Sequence, residues 1–295
     1  MKKYNKALSF VGLTLFISYI AAGIFYLSLS AESLTQTAKL IFTICYMFIP
    51  LLSAVLLNQF IYKDPLNESL LLSFKINKWF FVAWLIMPVY GFLTFGVSLL
   101  FPGISLSKNL SGMYLGNIYL HPVLLALVSA LAAGITVNAI LGFGEEAGWR
   151  GYLMHALKRL SFFKASLIIG FVWGIWHAPV ILMGHNYPQH PGIGAVMMTF
   201  FCILLSPIFL YIAIKSRSSI AAGIMHGTLN GVGGFPAIMT SGGSDLTVGI
   251  TGAAGFIALA IMLAALAVYD RYFAENRIMN RKIEPLFHGD PAFAN

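Results

Sequence analysis

The chain has 295 residues, of which 59% are hydrophobic and only 9% are charged. A soluble domain has roughly a quarter of its residues charged, so this composition excludes a globular protein with a water-covered surface. The net charge of +8 would suit a nucleic-acid-binding protein, but the positions of the basic residues along the chain favour a different explanation.

Uncharged apolar runs indicate an all-α polytopic membrane protein, because about 20 such residues form a helix that crosses a bilayer. We predict about eight transmembrane helices around a polar intramembrane cavity, in one domain that covers residues 1–295. The motifs all fall within residues 142–231, and a polar cytoplasmic tail is expected at 270–295. The predicted spans are 8–29, 40–61, 79–101, 121–143, 165–184, 193–214, 218–232 and 248–269.

Most lysine and arginine residues fall in alternate loops. Lys63, Lys75 and Lys78 lie between the second and third spans, whereas the loops on the other side hold only Lys39 and Lys108. The positive-inside rule therefore predicts a multi-pass cell-membrane protein with both termini in the cytoplasm. The expected partners include the lipid bilayer and exclude nucleic acid. The same count favours a site entrance that faces the cytoplasm.

Residues 142–151 read GFGEEAGWRG and place three ionisable groups in an apolar part of the chain. Such groups at membrane depth are costly and usually face a protein interior. Glu146 and Arg150 are four residues apart on one helix face and are expected to pair. Glu145 points about 100° away, which leaves it as an unpaired carboxylate suited to a general base. The alternative is a helix N-terminus whose acidic residues complement the helix dipole.

The length of this region predicts an interruption. A helix from 121 to 158 would be about 56 Å long, whereas a bilayer core is about 30 Å thick. We therefore predict a break or fold-back at residues 142–144. Glu145 would then lie near the start of the second piece, inside the helical bundle.

His177 lies in a predicted span, in the segment FVWGIWHAPV. Trp173 is one helical turn before it, and Pro179 follows it. Proline removes a helical hydrogen bond and frees the carbonyl near residue 175, which bends the helix beside the histidine. A packing histidine bonded to a backbone carbonyl is the alternative reading of this position.

The segment AAGIMHGTLNG contains His226 and Asn230, which are spaced to lie on one helix face. The small residues around them would let another helix approach closely. These two polar groups either form part of a site or join helices through hydrogen bonds, and this segment alone does not separate the two readings.

Taken together, these groups suit hydrolysis. A carboxylate such as Glu145 can take a proton from water that His177 orients, while His226 and Asn230 can donate hydrogen bonds to an oxyanion. The set Glu145, His177 and His226 is also the two-histidine, one-carboxylate combination that holds zinc in water-activating metalloenzymes. The HExxH motif is absent. No cofactor is therefore assigned, and zinc is kept as the alternative.

Three motifs in this order resemble the CPBP intramembrane protease family, also called Abi. That family groups type II CAAX prenyl proteases with bacteriocin-processing and immunity proteins. The motifs here are EExxxR, a histidine after a hydrophobic-aromatic helix, and HxxxN; they start at Glu145, Trp173 and His226. The resemblance covers residues 142–231, and the remaining spans match only as generic membrane helices.

The resemblance implies an endopeptidase, of a family described as metalloproteases, that cleaves a membrane-embedded or lipidated peptide or protein. Prenylated CAAX peptides are one substrate class. It implies that Glu145 and His177 activate water, that His226 and Asn230 form the oxyanion site, and that Glu146, Arg150 and Trp173 support them. The family usually has phenylalanine where this chain has Trp173, so its substrate preference does not transfer directly.

Two other functions fit parts of the sequence. Intramembrane glutamate and histidine residues also relay protons in transporters, although the two-half repeat of many transporters is not evident here. A non-catalytic member of the same family would act as an immunity or partner-binding membrane protein. The presence of Glu145, His177, His226 and Asn230 together favours the protease.

Overall fold

The computed structural model describes residues 5–29, 35–108, 113–115 and 118–284. These residues form a helical bundle with very little sheet, as predicted for an all-α membrane protein. The helices are α1 (Asn5–Leu29), α2 (Gln36–Leu57), α3 (Leu66–Ser69), α4 (Lys78–Ser98), α5 (Pro122–Gly134), α6 (Val137–Glu146), α7 (Met154–Ala156), α8 (Phe162–Leu182), α9 (Pro191–Ser216), α10 (Ser219–Val232), α11 (Phe235–Met239) and α12 (Ala253–Tyr272).

Two short antiparallel strand pairs lie among the loops at one end of the bundle. Strand β1 (Ser105–Leu106) pairs with β4 (Thr240–Ser241). Strand β2 (Met113–Leu115) pairs with β3 (Ile118–Leu120). The first pair joins the loop after α4 to the loop after α11, so two connections that are distant in sequence share this end of the molecule.

Within the described residues, six helices are long and apolar enough to cross a membrane: α1, α2, α4, α8, α9 and α12. The bent pair formed by Pro122–Gly134 and Val137–Ala156 gives a seventh span if it is counted as one. The predicted span 218–232 forms α10, which has 14 residues and is about 21 Å long. About eight transmembrane helices were predicted. The described residues form six or seven full spans, and α10 is a shorter helix.

The predicted break at residues 142–144 is wrong. The chain bends by 54° between Gly134 and Val137, eight residues earlier. The β-branched residues Ile135 and Thr136 interrupt the helix there, and the Thr136 hydroxyl donates to the carbonyl of Ala132 at 2.7 Å. Glu145 therefore lies near the C-terminal end of α6. The chain then continues without a bend through a π-helical segment, Ala147–Leu153.

Glycines in α6 serve close packing. A Cβ at Gly142 would lie 2.7 Å from the carbonyl oxygen of Gly223 in α10, and one at Gly144 would lie 3.0 Å from the carbonyl oxygen of Met47 in α2. Helices in membranes approach most closely where residues are small. Gly142 and Gly144, at the position of the predicted break, instead let α6 pack directly between α2 and α10.

Part of the predicted polar tail packs against the bundle. Ile278 and Ile283 are fully buried, and residues 281–284 form backbone hydrogen bonds with residues 158–162. Asp270 in α12 accepts hydrogen bonds from the Tyr211 hydroxyl at 3.1 Å and from the backbone N–H of Ile278 at 3.0 Å. Residues 276–284 of the tail therefore form a layer packed against the bundle. Residues 285–295 lie outside the described part.

We predict that Gly142→Ala destabilises the protein, because its methyl group would clash with α10 as described above. Overpacking of this kind costs about 1–3 kcal/mol, whereas alanine gains at most about 1 kcal/mol in helix propensity. The midpoint of thermal unfolding in detergent is expected to fall. Gly96→Ala is the matched control, since a Cβ there meets no atom within 4 Å. Equal stability of Gly142→Ala and the parent would contradict the close approach of α6 and α10.

We also predict that Asp270→Ala releases the C-terminal layer. The change removes a buried acceptor shared by a hydroxyl and backbone N–H groups, and each hydrogen bond to a charged group is worth about 1.5–3 kcal/mol. Trypsin should then cut faster at Arg277 and Arg281. Glu275→Ala, at an exposed acidic residue of the same segment, is the control. Unchanged proteolysis of Asp270→Ala would show that the layer does not depend on this carboxylate.

Candidate active site

The structure brings polar residues of α6, the π-helical segment, α8 and α10 into one buried cluster. Glu145 and Glu146 are at the end of α6, and Trp173 and His177 are on α8. His226 is on α10, where its side chain is almost fully buried. Three helices that are separate in sequence thus converge, as the three motifs predicted.

Glu145 is held by an indole. The Trp173 Nε1–H donates to Glu145 Oε2 at 2.8 Å, and both side chains are buried. The other carboxylate oxygen, Oε1, lies 3.8 Å from His226 Nε2. That separation exceeds a direct hydrogen bond, and a water molecule that hydrogen-bonds to both atoms can bridge it. One carboxylate oxygen is therefore fixed, and the other faces a histidine nitrogen across a gap.

His226 is oriented by the second glutamate. Its Nδ1 lies 2.9 Å from Glu146 Oε1, and because a carboxylate only accepts hydrogen bonds, Nδ1 carries the hydrogen. Its other nitrogen, Nε2, is directed toward Glu145. The two adjacent glutamates thus contact the two nitrogens of one ring. This follows from their positions on different faces of the helix.

The Glu146–Arg150 pair forms as the sequence predicted. Arg150 Nη1 lies 3.1 Å from both carboxylate oxygens, and neither side chain is exposed. The guanidinium carbon lies 4.3 Å from the centre of a Trp173 ring and 4.7 Å from that of Phe209. Within the described part of the chain, Arg150 Nε and Nη2 have no hydrogen-bond acceptor, so the two aromatic faces contact the rest of the cation.

His177 is fixed through its own helix. Its Nδ1 lies 2.8 Å from the carbonyl oxygen of Trp173, so Nδ1 donates and Nε2 is left for the cavity that the residue lines. The carbonyl that Pro179 frees is that of Ile175, as predicted, and it accepts a hydrogen bond from the Tyr19 hydroxyl at 2.7 Å. Helix α1 therefore stabilises the proline-containing turn next to His177.

The cluster lies in a cavity of about 1040 Å³. Glu145, His177, His226 and Asn230 all contribute to its wall. Asn230 is exposed, one helical turn after His226, so its amide faces the open part of the cavity. The four residues predicted to be catalytic thus share one space, although their individual roles stay predictions.

The cavity opens among loops at one end of the bundle, between the α8–α9 loop and the loop before α12. Asp245 joins these loops: its Oδ1 lies 2.6 Å from His190 Nδ1, and the Gln189 N–H donates to Oδ2 at 2.7 Å. Partial burial alone would raise the pKa of Asp245, but the His190 ring and the backbone N–H groups outweigh it and hold this pKa below its ordinary value. These hydrogen bonds therefore hold together the two loops that form the rim of the cavity.

The side chains do not form an evident metal site. Among the described residues, no group of three or more His, Cys, Asp or Glu side chains is arranged to hold a metal ion. His226 Nδ1 already binds Glu146, and His177 Nδ1 already binds a backbone carbonyl. Nε2 of each ring is left toward the cavity, and a zinc-ligating histidine commonly donates its other nitrogen to a carboxylate or a backbone carbonyl. Zinc ligation by Glu145, His177 and His226 therefore stays a prediction.

Sequence reasoning missed two parts of the site. Phe209 contacts Arg150 next to Trp173, with the two ring centres 5.6 Å apart, but a phenylalanine in an apolar helix carries no recognisable signal. Asp245 lies outside the three motifs, in a glycine-rich loop. Its only sequence signal was that acidic residues are rare in this chain.

Two comparisons with known proteins agree with this site. Residues 119–232 match the family model described as "Type II CAAX prenyl endopeptidase Rce1-like". The curated protein CAAX prenyl protease 2 of Methanococcus maripaludis is 29% identical over 219 residues, which are 72% of this chain and 74% of that protein. The matched region includes all three motifs. The resemblance that these motifs indicated is therefore confirmed: residues 119–232 are similar to the Rce1-like type II CAAX prenyl endopeptidase family.

Proposed function

We propose that this protein is an intramembrane endopeptidase that cleaves membrane-associated substrates by water activated at Glu145. The observation that carries the proposal is the gap of 3.8 Å between Glu145 Oε1 and His226 Nε2, at the buried end of an open cavity. A water molecule in that gap would contact a base and a histidine together. The family match to a prenyl endopeptidase supports the same reaction class.

In the proposed reaction, Glu145 takes a proton from the water as the water oxygen attacks the peptide carbonyl carbon. The carbonyl oxygen becomes an oxyanion, to which the Asn230 amide donates a hydrogen bond. His226 Nε2 donates a second one when the ring carries a proton on both nitrogens, since its Nδ1 hydrogen is already given to Glu146. The carbon–nitrogen bond then breaks, and Glu145 returns the proton to the leaving nitrogen. The products are a new carboxylate and a new amine.

The remaining polar residues hold these groups in place. His177 lines the same cavity with Nε2 unpaired by its helix, and we assign it to orient the water together with Glu145. Glu146 fixes the His226 ring, and Arg150 balances the charge of Glu146. Trp173 fixes Glu145 through one hydrogen bond. This scheme uses no metal ion, and the cleavage assay below includes a chelator to test the zinc alternative.

The substrate is proposed to be a lipidated or membrane-embedded peptide, with prenylated CAAX-type peptides as one class. The relative named above is a CAAX prenyl protease. The cavity also has an apolar wall suited to a hydrocarbon chain, in which Phe25 and Phe42 stack with their ring centres 3.8 Å apart. A peptide with an apolar anchor would place its backbone toward the polar end and its anchor along these rings.

We predict that Glu145→Gln abolishes cleavage. The glutamine amide has nearly the same shape as the glutamate carboxylate but does not take a proton from water. Loss of a general base lowers the rate by about 10²- to 10⁴-fold. We would measure cleavage of prenylated and unprenylated quenched fluorescent peptides by purified protein in detergent, with and without a chelator. Glu275→Gln, at an exposed glutamate, is the matched control. Cleavage by Glu145→Gln at the parental rate would contradict the assignment.

We also predict an effect of Trp173→Phe, which keeps an aromatic ring over Arg150 but removes the N–H that donates a hydrogen bond to Glu145. A hydrogen bond to a charged group is worth about 1.5–3 kcal/mol, so kcat is expected to fall roughly 10- to 150-fold with KM unchanged. Trp84→Phe is the control, since the Trp84 indole donates to the Leu131 carbonyl, away from the site. A change confined to KM would instead assign Trp173 to substrate binding.

A further inference from the structure

The two ends of the bundle differ in the loops that they bring together. At the first, named here the basic end, the Ser219 hydroxyl bonds to the Leu70 carbonyl at 2.7 Å, and residues 281–284 pair with residues 158–162. At the second, named the mouth end, the α8–α9 loop meets residues 242–252, and β1 pairs with β4. The cavity opens at the mouth end, where its wall includes His185, Gln189 and Asp245.

Basic residues divide unequally between these ends. Lys39 and Lys108 are at the mouth end. Those described at the basic end are Lys6, Lys63, Lys75, Lys78, Lys158, Arg159, Lys164, Lys215, Arg217, Arg271, Arg277, Arg281 and Lys282. Because basic loops stay in the cytoplasm, the charge distribution predicts that the basic end is cytoplasmic. The predicted topology and an entrance that faces the cytoplasm therefore cannot both hold, because the cavity opens at the opposite end.

The position of the site along its helices agrees with the position of the opening. His177 is five residues before the end of α8 at Leu182 and fifteen residues after its start at Phe162. At 1.5 Å per residue, these are about 8 Å from the mouth end and about 22 Å from the basic end. Asn230 is two residues before the end of α10 at the same mouth end. Substrate that came from the basic end would have to cross the closed part of the bundle.

We infer that the substrate enters from the side of the membrane opposite to the cytoplasm. The partner is then a peptide segment that is anchored in the membrane and exposed on the outer face. That the entering peptide is a substrate rests on the proposed function, but the location of the opening does not depend on it. Lys39, exposed on the rim, supplies a positive charge at the opening for a carboxylate of the entering segment.

The test is cysteine labelling with a membrane-impermeant maleimide in intact spheroplasts that express the full chain. Ser244→Cys lies in the cavity wall at the mouth end, and Ser161→Cys lies at the basic end; both serines are partly exposed. Each is made in a Cys45→Ala background, because Cys45 is exposed and Cys202 is buried. We expect labelling of Ser244→Cys at least tenfold above background, and labelling of Ser161→Cys only after the membrane is permeabilised.

The reverse pattern, or equal labelling of both variants in intact spheroplasts, overturns the inference. A second pair with exposed side chains, Lys39→Cys and Lys75→Cys, repeats the comparison if a serine variant fails to fold. A bulky maleimide on Ser244→Cys should also slow peptide cleavage by the purified protein, whereas the same label on Ser161→Cys should not. Loss of the proposed protease function would remove the cleavage result but leave the labelling result intact, so the two failures are distinguishable.

Discussion

The buried ion pair between Glu146 and Arg150 is the interaction on which the rest of the site depends. An unpaired charge at this depth would cost several kcal/mol, and both side chains are fully buried. Arg150 offsets the charge of Glu146, and Glu146 in turn holds the His226 ring. The Glu146–Arg150 pair therefore fixes the position of the His226 ring, and with it the distance from His226 to Glu145. Two aromatic faces complete the contacts of the cation without adding another acid.

This arrangement requires α6 and α10 to approach at backbone distance. Gly142 contacts α10 beside His226, and Gly227 of α10 contacts the backbone of α6 at Asn138 and Ala139. A larger residue at either position would separate α6 from α10 and move the carboxylates away from the histidine. Thr228 also fits against Gly134, at the bend of the broken span. Packing of small residues thus determines the geometry of the polar cluster.

Helical periodicity was sufficient to predict the parts of the site that lie within one helix. It predicted the Glu146–Arg150 pair, the common helix face of His226 and Asn230, and the backbone carbonyl that Pro179 leaves without its helical hydrogen bond. Contacts between helices were not predictable in this way, because the hydrogen bond from Trp173 to Glu145 depends on how α6 and α8 cross. The position of the bend was also wrong, since glycine marks both helix breaks and close helix packing. The polar tail was expected in solvent because its pattern gave no sign of Asp270 as a buried acceptor.

The docked tail has a consequence for the order in which the molecule assembles. Residues 276–284 are synthesised after α12, yet they pair with the chain just before α8. Contacts between such distant parts of a sequence carry a loop-closure entropy cost, which slows their formation. The helices can therefore enter the membrane one after another during translation, while the basic end stays open. That end closes only after residues 276–284 have been synthesised, so docking of this segment is a later step than insertion of α8.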